Sequence, residues 1–366
     1  MNGAWQSFRR RRRNLAALGL LLAFFAAALF ADFLASDRPI AMRKQGTLYL
    51  FANLIDYREL RSFEARDLRA GDWALWAPLR HGPYSIPAPG SLLTPPPLPP
   101  GPGHPLGTDR AGRDTLARLI HGTRASLAVG VAAALLQVCL GLLLGLVSGY
   151  FGGLADSAIT RATEVLLSFP LLLLLLVAQG VLERTTIAST AAVIGLTRWA
   201  DTSRLVRAEA LRVRALPYVE ASRALGAPPL RILLRHVLPN CLAPALVSVA
   251  FGVGTAILVE SALSFLGFGA PEPTASWGLL MADGFQDVLD PNARPLVLFP
   301  GLAIFLCVSA FNLVADGLRE ALQPRAQGAV VPSAFITSDQ KRALSPAPMP
   351  AGAAHEVATY SVPEAK

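Results

Sequence analysis

The sequence contains few charged residues and few cysteines. Asp, Glu, Lys and Arg together make up 16% of its 366 residues, whereas hydrophobic residues make up 53%. Soluble domains carry about 25% charged residues, so this composition excludes an ordinary soluble domain and indicates a membrane protein. The three cysteines, Cys139, Cys241 and Cys307, lie within or beside apolar runs, which excludes a disulfide framework of the secreted type.

The motifs of common catalytic and nucleotide-binding sites are missing from the sequence. It has no Gly-x-x-x-x-Gly-Lys-Ser/Thr phosphate loop, no Gly-x-Ser-x-Gly elbow and no His-Glu-x-x-His zinc pair. Its histidines are not grouped at metal-ligand spacing. We therefore predict that this chain is not an enzyme and binds no ATP, cofactor or metal itself. The net charge of +8 comes without a nucleic-acid-reading motif, so we expect no nucleic acid partner and attribute the charge to cytoplasmic arginines.

Long apolar runs predict an all-α integral membrane protein with six transmembrane helices, since a helix needs roughly 20 apolar residues to cross the hydrocarbon layer. The first span is predicted at 15–34, and the apolar runs of the others at 127–147, 165–182, 185–200, 242–265 and 295–314. Residues 126–318 form the main transmembrane domain, which contains five of the helices. The tail at 319–366, rich in Ala, Pro and Ser towards its end, is predicted to be disordered.

Five consecutive arginines, at positions 9–13, precede the first apolar run. A secretory signal peptide also has a charged front and an apolar core. The run here is long, however, and residues 32–37 lack a clear small-x-small cleavage site. We therefore favour a retained first span that follows a basic N-terminus at 1–14.

The distribution of arginines predicts the orientation of the chain. Residues 198–235 contain eight arginines against three acidic residues, whereas the loop at 267–294 contains four acidic residues against one arginine. Positive residues favour the cytoplasmic side, so the N-terminus, the loop 201–240 and the C-terminus are predicted inside. The N-terminus and this loop share a side only if an even number of spans separates them. The first three spans make an odd number, so the weakly apolar segment 185–200 is predicted to cross.

Residues 35–125 are predicted to form an extracytoplasmic segment. Nine prolines between Pro87 and Pro105 predict a semi-rigid spacer of polyproline type. Trp73 and Trp76 fit either an interfacial anchor or the core of this segment. Residues 109–114 contain turn formers and a helix N-cap candidate, which favours a structural turn over a substrate site.

The arginine-rich loop between the fourth and fifth spans predicts a short helix of its own. Pro217 suits the first helical turn, and Glu220 in that turn is favoured by the helix dipole. Gly226 ends the helix, and Pro228 and Pro229 prevent its continuation. A short rigid helix of this kind fits a cleft on a soluble protein. The alternative is a loop that only joins two spans.

This loop resembles the EAA loop of ABC importer permeases. The matching residues are Glu220, Ala221, Ser222, Gly226, Leu238 and Pro239. Two positions depart from the usual pattern, since Ser222 stands in place of the second alanine and His236 in place of isoleucine. Both substitutions are familiar from peptide permeases.

Further motifs between residues 100 and 325 resemble the second permease subunit of oligopeptide/dipeptide importers. They are HPLGTD at 104–109, GRD at 112–114, GYFGG at 149–153, LSFLG at 263–267, SWG at 276–278, FPG at 299–301, FNL at 311–313 and DGLR at 316–319. The outer segment, at 37–39 and 73–78, is similar to the microcin C-type peptide permease branch.

The resemblance implies a type I ABC importer permease fold with a cytoplasmic coupling helix, in a bacterial inner membrane. It implies a homologous permease subunit as partner in a heterodimer, two cytoplasmic subunits that bind ATP and Mg²⁺, and an extracytoplasmic solute-binding protein. The cargo would be peptides or peptide-like compounds. By carry-over, the six matching loop residues pass closure of the ATPase pair to the spans in an alternating-access cycle.

Two further groups of residues are candidates outside the loop. Gly141, Gly145 and Gly149 recur at intervals of four, which predicts a helix face that another helix approaches closely. Glu260, near the outer end of the fifth span, and Asn312, in the sixth, are possible residues of the translocation pathway. For Glu260 a position near the lipid headgroups is the alternative, and for Asn312 an interhelical hydrogen bond.

Three rival functions are weighed against a peptide importer. A secondary transporter driven by an ion gradient would have inverted repeats and ion ligands at the membrane midplane, and neither is visible. An intramembrane enzyme would need a paired acid, nucleophile or metal set at one depth. Within the importer class, nickel or another small solute could replace peptide as the cargo.

Overall fold

A computed structural model describes residue 6 and residues 8–60, 72–87, 95–182 and 185–322 of the chain. These residues are mainly helical, with one small β-sheet. The end of the predicted tail, from residue 323 onward, and residues 88–94 of the predicted proline-rich spacer lie outside the described residues.

The helices follow one another along the chain in this order. The first five are α1 (Arg12–Leu29), α2 (Ala31–Leu34), α3 (Thr115–Phe151), α4 (Gly153–Ser168) and α5 (Leu171–Gly180). The next are α6 (Ile187–Arg214), α7 (Pro217–Ala224), α8 (Pro229–Ile232), α9 (Leu238–Phe265), α10 (Trp277–Gln286) and α11 (Arg294–Leu322). A π-helical turn, Leu233–Val237, joins α8 to α9, and 3-10 turns occur at Arg58–Leu60 and Pro291–Ala293.

Within the described part of the chain, four helical stretches are long and apolar enough to cross a membrane. They are α1, α3, the stretch Pro229–Phe265 that ends with α9, and the stretch Pro291–Leu322 that contains α11. They coincide with the first, second, fifth and sixth predicted spans. Helix α3 has 37 residues. At 1.5 Å per residue it is about 55 Å long, so it extends beyond the hydrocarbon layer.

The third predicted span, 165–182, is divided by a sharp bend. Helices α4 and α5 meet at 91° and count together as one further apolar stretch. The bend falls where Phe169 is extended, with ψ 141°, because Pro170 disfavours a helical conformation in the residue before it. The bend thus lies at Pro170, within the predicted span, and helical structure begins earlier than the predicted span does, at Gly153.

The fourth predicted span, 185–200, coincides with the first half of α6. This helix has 28 residues in all and ends at Arg214. Apolarity alone does not identify α6 as a span, because the arginines between positions 198 and 214 lower its hydropathy. Among the described residues, apolarity and length support four membrane-crossing helices, or five if the bent pair α4–α5 counts as one.

The helix bundle has a basic end and an acidic end. The basic end carries the arginines at 9–13, helices α7 and α8 and the turn 233–237; the acidic end carries the loop 266–293, which has four acidic residues and no basic one. At the basic end α1 begins beside the end of α11, where Arg11 Nη1 donates to Glu320 Oε1 at 2.9 Å. At the acidic end α1 finishes beside the start of α3, where Arg124 Nε donates to the Ala28 carbonyl at 2.9 Å.

Helices α3 and α6 approach each other along the three spaced glycines. A β-carbon at Gly145 would lie 2.7 Å from the Ser203 carbonyl oxygen, and one at Gly149 would lie 2.7 Å from the Arg207 carbonyl oxygen. Gly141 faces the same helix one turn further along. These distances leave no room for a side chain, so the two backbones pack as small-xxx-small helix pairs do.

The predicted all-α class is wrong for the segment between α2 and α3, which contains a β-sheet. The strands β1 (Ala41–Lys44), β2 (Thr47–Leu50) and β3 (Trp73–Leu75) are antiparallel, in the order β2-β1-β3. Gln45 and Gly46, at φ 49° and 84°, form the two-residue turn between β1 and β2. Positive φ at both positions is the geometry of a type I′ hairpin. Trp73 is 46% exposed, so it is not the core of this segment.

The two ends of the segment that contains the sheet lie next to each other, beside the end of α2. The backbone N–H of Leu79 donates to the Leu34 carbonyl at 3.1 Å, and that of Ser36 donates to the Leu79 carbonyl at 3.0 Å. Inside the segment, Met42 is fully buried against Ala52. The sheet thus has a small core of its own beside the acidic end.

Candidate functional site

Helix α7 begins at Pro217, as the sequence predicts. Leu216 is extended and serves as N-cap without a side-chain hydrogen bond to the helix, and Pro217 needs no partner for the N–H group it lacks. Glu220 lies in the first turn, where unpaired backbone N–H groups favour a carboxylate. The local sequence accounts for the start of the helix.

Helix α7 ends in a Schellman motif built on a glycine. The N–H of Ala227 donates to the Ser222 carbonyl at 3.2 Å, and the N–H of Gly226 donates to the Arg223 carbonyl at 3.0 Å. Gly226 has φ +79°, which L-residues with a β-carbon rarely adopt. This glycine therefore stops the helix and turns the chain towards α8.

The bundle holds one side of α7 through a single buried residue. Val219 is fully buried in a cluster with residues from α3, α6, α8, the π-helical turn and α9. This anchoring cluster consists of Leu146, Tyr150, Val206, Ala210, Val213, Val219, Ile232, Leu233, Val237 and Cys241. Burial of a valine side chain stabilises such a contact by about 1.5–3 kcal/mol. Val219 thus packs in one cluster with residues at the ends of three long helices, α3, α6 and α9.

The other side of α7, with α8 and the turn that follows, is open. Leu225, Leu230 and Leu234 are 88%, 61% and 53% exposed, and Tyr218 is 45% exposed. We call this the α7–α8 surface and define it as Tyr218, Arg223, Leu225, Leu230, Arg231, Leu234 and Arg235, whose arginines are also exposed. Large apolar side chains among arginines are typical of a surface that docks another protein.

The six residues of the predicted ATPase-coupling loop all lie at the basic end of the bundle. Glu220, Ala221, Gly226 and Pro239 are exposed. Leu238 is half-buried and packs against the anchoring cluster. Four of the six are accessible to a partner, and Leu238 packs beneath them at the start of α9.

The two positions that depart from the usual EAA pattern lie next to each other. Ser222 Oγ donates to the Tyr218 carbonyl at 2.8 Å and lies 3.5 Å from His236 Nε2. The His236 ring packs edge-on against Tyr218, with centroids 5.8 Å apart. Asn240 Nδ2 donates to the His236 carbonyl at 2.7 Å. The two departures form one contact that joins α7 to the turn before α9.

The two possible pathway residues occupy different surroundings. Glu260 is 3% exposed and faces other helices. Its Oε1 accepts from Ser264 Oγ at 2.7 Å, and its Oε2 accepts from Ser126 Oγ at 3.2 Å. Asn312 is exposed on α11 and faces Gly254 of α9, where an added β-carbon would lie 3.5 Å from its Oδ1. Of the two, Asn312 is the accessible one.

A buried ion network at the acidic end was missed by the sequence reasoning. Arg118 is fully buried and donates to Asp109 and, at 2.9 Å, to Asp283. Arg113 Nε donates to the same Asp109 carboxylate at 2.7 Å, and its Nη2 donates to Glu272 at 2.9 Å. The network joins the turn before α3 to the loop 266–293. The only sequence signal was the run of charges within 109–118.

Two carboxylates of this region have shifted pKa values. Burial raises the pKa of Asp283, although Arg118 acts in the opposite direction. Arg110 lowers the pKa of Asp287, because its guanidinium donates to both carboxylate oxygens. The acidic end therefore contains two half-buried carboxylates whose pKa values are shifted in opposite directions.

Two histidines that are distant in sequence come together before α3. The His81 and His104 rings stack with centroids 4.5 Å apart, and one possible ligand atom from each, with one from Asp114, lies within 4.8 Å of the others. Asp114 Oδ2 is 2.8 Å from His104 Nδ1, and its Oδ1 accepts from the Ala117 N–H at 2.7 Å. Asp114 thus serves as the N-cap of α3 and at the same time bonds to His104, a structural role that needs no metal ion.

A bundle of long apolar helices with an anchored, exposed helix at its basic end defines an integral membrane protein. Residues 141–328 match the family described as binding-protein-dependent transport system inner membrane component, and residues 1–50 match the N-terminal TM domain of oligopeptide transport permease C. The chain belongs to the family of binding-protein-dependent transport system inner membrane components, the permeases of ABC importers. This family consists of transport subunits, not enzymes.

Similar proteins confirm the resemblance to oligopeptide/dipeptide permeases. The dipeptide transport system permease protein DppC of Haemophilus influenzae is 41% identical over 64% of this chain and 79% of its own length. The oligopeptide transport system permease protein OppC of Bacillus subtilis is 38% identical over 62% of this chain and 73% of its own length. The glutathione transport system permease protein GsiD of Pectobacterium atrosepticum is 38% identical over 62% and 74%.

Proposed function

We propose that this chain is the transmembrane permease subunit of an ATP-driven importer of di- or oligopeptides or peptide-like compounds. The family membership supports the class, and the relatives support the cargo, since each is named for a peptide or glutathione. The observation that supports coupling is the arrangement of α7. One side of this helix is exposed, and the other is fixed to the bundle through Val219.

The coupling cycle follows from this arrangement. A partner ATPase subunit contacts the α7–α8 surface. When ATP and Mg²⁺ bind to the ATPase pair and close it, α7 moves with it, and the buried Val219 passes the displacement to the ends of α3, α6 and α9. The permease then opens outward and accepts cargo, and release of the hydrolysis products returns it to the inward-open state. This chain holds no nucleotide at any step.

In this proposal the basic end faces the cytoplasm together with both chain termini, and α6 crosses the membrane as the fourth of six spans. The arginines at the basic end support the orientation. Two contacts support the crossing. Arg214 Nη1, at the end of α6, donates to the Gly149 carbonyl at 3.1 Å, and Thr185 Oγ1, just before α6, donates to the Gly269 carbonyl at 2.6 Å at the acidic end.

The remaining partners follow from the class of importer. A homologous permease subunit completes the pathway as a heterodimer, and two ATP-binding subunits bind at the basic end. An extracytoplasmic solute-binding protein docks at the acidic end and selects most of the cargo. Asn312, which is exposed on α11, is our candidate for a residue that lines the pathway.

The test is purification of the tagged chain from membranes, identification of the subunits that accompany it, and reconstitution of the complex in proteoliposomes with its binding protein. We expect uptake of labelled di- or oligopeptides that requires ATP on the side of the ATPase subunits. Uptake driven by an ion gradient without ATP would refute the importer class. ATP-driven uptake of nickel or another solute, with none of peptides, would refute the cargo.

The orientation has its own test. A cysteine placed at Arg223, in a variant without the three native cysteines, is treated in intact cells with a thiol reagent that cannot cross the membrane. We expect no labelling until the membrane is opened, because α7 faces the cytoplasm. Labelling in intact cells would overturn both the orientation and the ATPase contact.

A further inference from the structure

Glu260 lies near the end of α9, at the point where α3, α9 and α10 meet. The carboxyl group is buried and is surrounded by hydroxyl groups. Ser264 Oγ donates to Oε1 at 2.7 Å, and Ser126 Oγ, from α3, donates to Oε2 at 3.2 Å. Ser261 Oγ lies 3.4 Å from Oε2. A buried polar group of this kind is stable only while its hydrogen bonds persist, so any movement of these helices affects Glu260 directly.

The serines around Glu260 also hold the start of α10. Ser126 Oγ accepts from the Trp277 backbone N–H at 3.4 Å, and Ser276, the N-cap of α10, accepts from the Leu279 N–H at 3.2 Å. A serine hydroxyl accepts through its lone pairs and donates its single proton. Each hydroxyl accepts a hydrogen bond from α10 and still has its own proton to donate. Ser126 donates this proton to Glu260, and Ser276 lines one cavity with Glu260. The carboxyl group therefore orients the Ser126 hydroxyl towards α10 and lies beside Ser276.

The start of α10 is closely packed against α9 and α3. A β-carbon at Gly278 would lie 2.4 Å from the Ser261 carbonyl oxygen. Trp277 is fully buried, and its Nε1 donates to the Leu119 carbonyl of α3 at 3.1 Å.

A small cavity beside Glu260, with a mostly apolar wall, extends this junction to α6. The cavity has a volume of about 10 Å³, and Glu260, Ser276 and Thr190 contribute polar groups to its wall. Thr190 is 1% exposed. Its hydroxyl has no hydrogen-bond partner among the described residues. A cavity of this size has room for about one water molecule, and Glu260, Ser276 and Thr190 supply the polar partners that such a water needs.

We propose that Glu260 is a positioning residue that locks α3, α6, α9 and α10 together at the acidic end. It acts directly through the serine hydroxyls, and it reaches Thr190 through one water molecule bound in the cavity. The role differs from contact with cargo in the pathway. It also does not depend on which solute is carried or on the proposed coupling, so two of its three tests need no transport measurement.

The first test measures amide hydrogen exchange of residues 277–286 in the full chain, in lipid nanodiscs. Glu260→Leu keeps the approximate size but offers no hydrogen bonds, whereas Glu260→Gln keeps an acceptor. Loss of one to two buried hydrogen bonds raises exchange roughly 10-fold or more, so we expect this for Leu and near-normal exchange for Gln. Glu164→Leu is the matched control, because Glu164 is an exposed acid on α4 with a side-chain exposure of 57%.

The outcome that overturns the proposal is protection of residues 277–286 in Glu260→Leu equal to that of the wild type. Equal loss in the Gln and Leu variants also overturns it, because shape alone would then explain the effect. If Glu260→Leu does not fold, Ser126→Ala carries the test. This variant removes one arm of the junction, and we expect a smaller increase of exchange at the same residues. Unchanged exchange in Ser126→Ala overturns the proposal.

The second test addresses the water molecule and uses the sign of a change in melting temperature. Thr190→Val replaces the hydroxyl by a methyl group of the same shape. With a bound water the substitution removes one of its partners and lowers the melting temperature; in a dry cavity it removes an unpaired hydroxyl and raises it. Thr197→Val on the same helix is the control. A rise, or a fall no larger than that of the control, overturns the link to α6.

The third test separates positioning from cargo contact and rests on the proposed function. In the reconstituted importer we expect Glu260→Leu to lower the maximal rate and to leave the KM for cargo unchanged, with recovery in Glu260→Gln. A raised KM in both variants assigns Glu260 to the pathway and overturns the positioning role. If the wild-type complex transports no peptide, the proposed function fails, while the hydrogen-exchange and melting results still decide this inference.

Discussion

Leu225 offers the most direct test of the α7–α8 surface. Its side chain is 88% exposed at the C-cap of α7. Leu225→Ala removes three carbon atoms and keeps a residue compatible with a helix end. Burial is worth about 0.8 kcal/mol per carbon, so an ATPase subunit that covers Leu225 completely loses about 2.4 kcal/mol of binding free energy. At 1.4 kcal/mol per factor of ten, the expected loss of affinity is about 50-fold.

The assay is titration of the purified ATPase subunits onto the permease in nanodiscs, with the melting temperature as a check on folding. Leu289→Ala is the matched control. Leu289 is 92% exposed, lies at the acidic end and loses the same three carbon atoms. We expect this control to bind the ATPase like the wild type. Both variants should keep their melting temperature, since surface substitutions usually change stability by about 0.5 kcal/mol or less.

Two results would refute the reasoning. Wild-type affinity in Leu225→Ala would mean that the partner does not cover α7 at its end, and the coupling contact would then lie elsewhere. An equal loss of affinity in both variants would mean that exposed leucines act through detergent or lipid contact, without a specific docking surface.

The glycines give two further predictions and an ion pair a third. Gly145→Leu places a side chain against the backbone of α6 and lowers the stability by more than the roughly 1–3 kcal/mol typical of overpacking. Gly19→Leu is the control and leaves the melting temperature unchanged, because an added β-carbon there has no heavy atom within 4 Å. Equal effects would contradict the close α3–α6 contact. Gly226→Val forces a branched residue into φ +79°, at a cost of about 1–2 kcal/mol. We expect lower uptake with normal membrane insertion, which is checked by fractionation. Normal uptake would count against coupling through α7. Arg110 lowers the pKa of Asp287, so the pair stabilises the loop above the ordinary pKa of aspartate and loses this contribution as the pH falls through the lowered value. The difference in melting temperature between about pH 7 and about pH 3 should therefore be smaller in Arg110→Gln, and an unchanged difference would argue against this role.

The basic end could be predicted from the sequence because its signals are local. Pro217 is tolerated at the start of a helix, and Gly226 supplies the positive φ that ends one, so the two residues delimit α7 without knowledge of the rest of the fold. The anchor was not predictable in the same way. Val219 is one of many valines in the sequence, and only the packing of α3, α6 and α9 around it distinguishes it.

The acidic end was harder to predict because its contacts join distant segments. Arg118 reaches Asp283 across 165 positions of sequence, and Ser126 reaches Glu260 across 134. No spacing rule connects such pairs. The sequence therefore identified Glu260 as an acid at membrane depth but did not identify the residues that bond to it.

The sheet was missed for a different reason. Its strands have three or four residues each, too few for an alternating pattern to stand out from the surrounding charges. The turn at Gln45 and Gly46 was the one usable signal. The bend between α4 and α5 shows the same limit, since Pro170 indicated a break but nothing nearby indicated that helix extends to both sides of it.

Backbone hydrogen bonds join residues 34–36 to Leu79 at the two ends of the sheet segment. This arrangement has an evolutionary consequence. A segment whose two ends already touch can be gained, lost or exchanged by one recombination event, because closing the gap requires only a short connection and leaves the threading of the helices intact. The sheet can therefore diverge as an interchangeable module, while the helices it is attached to remain constrained by one another.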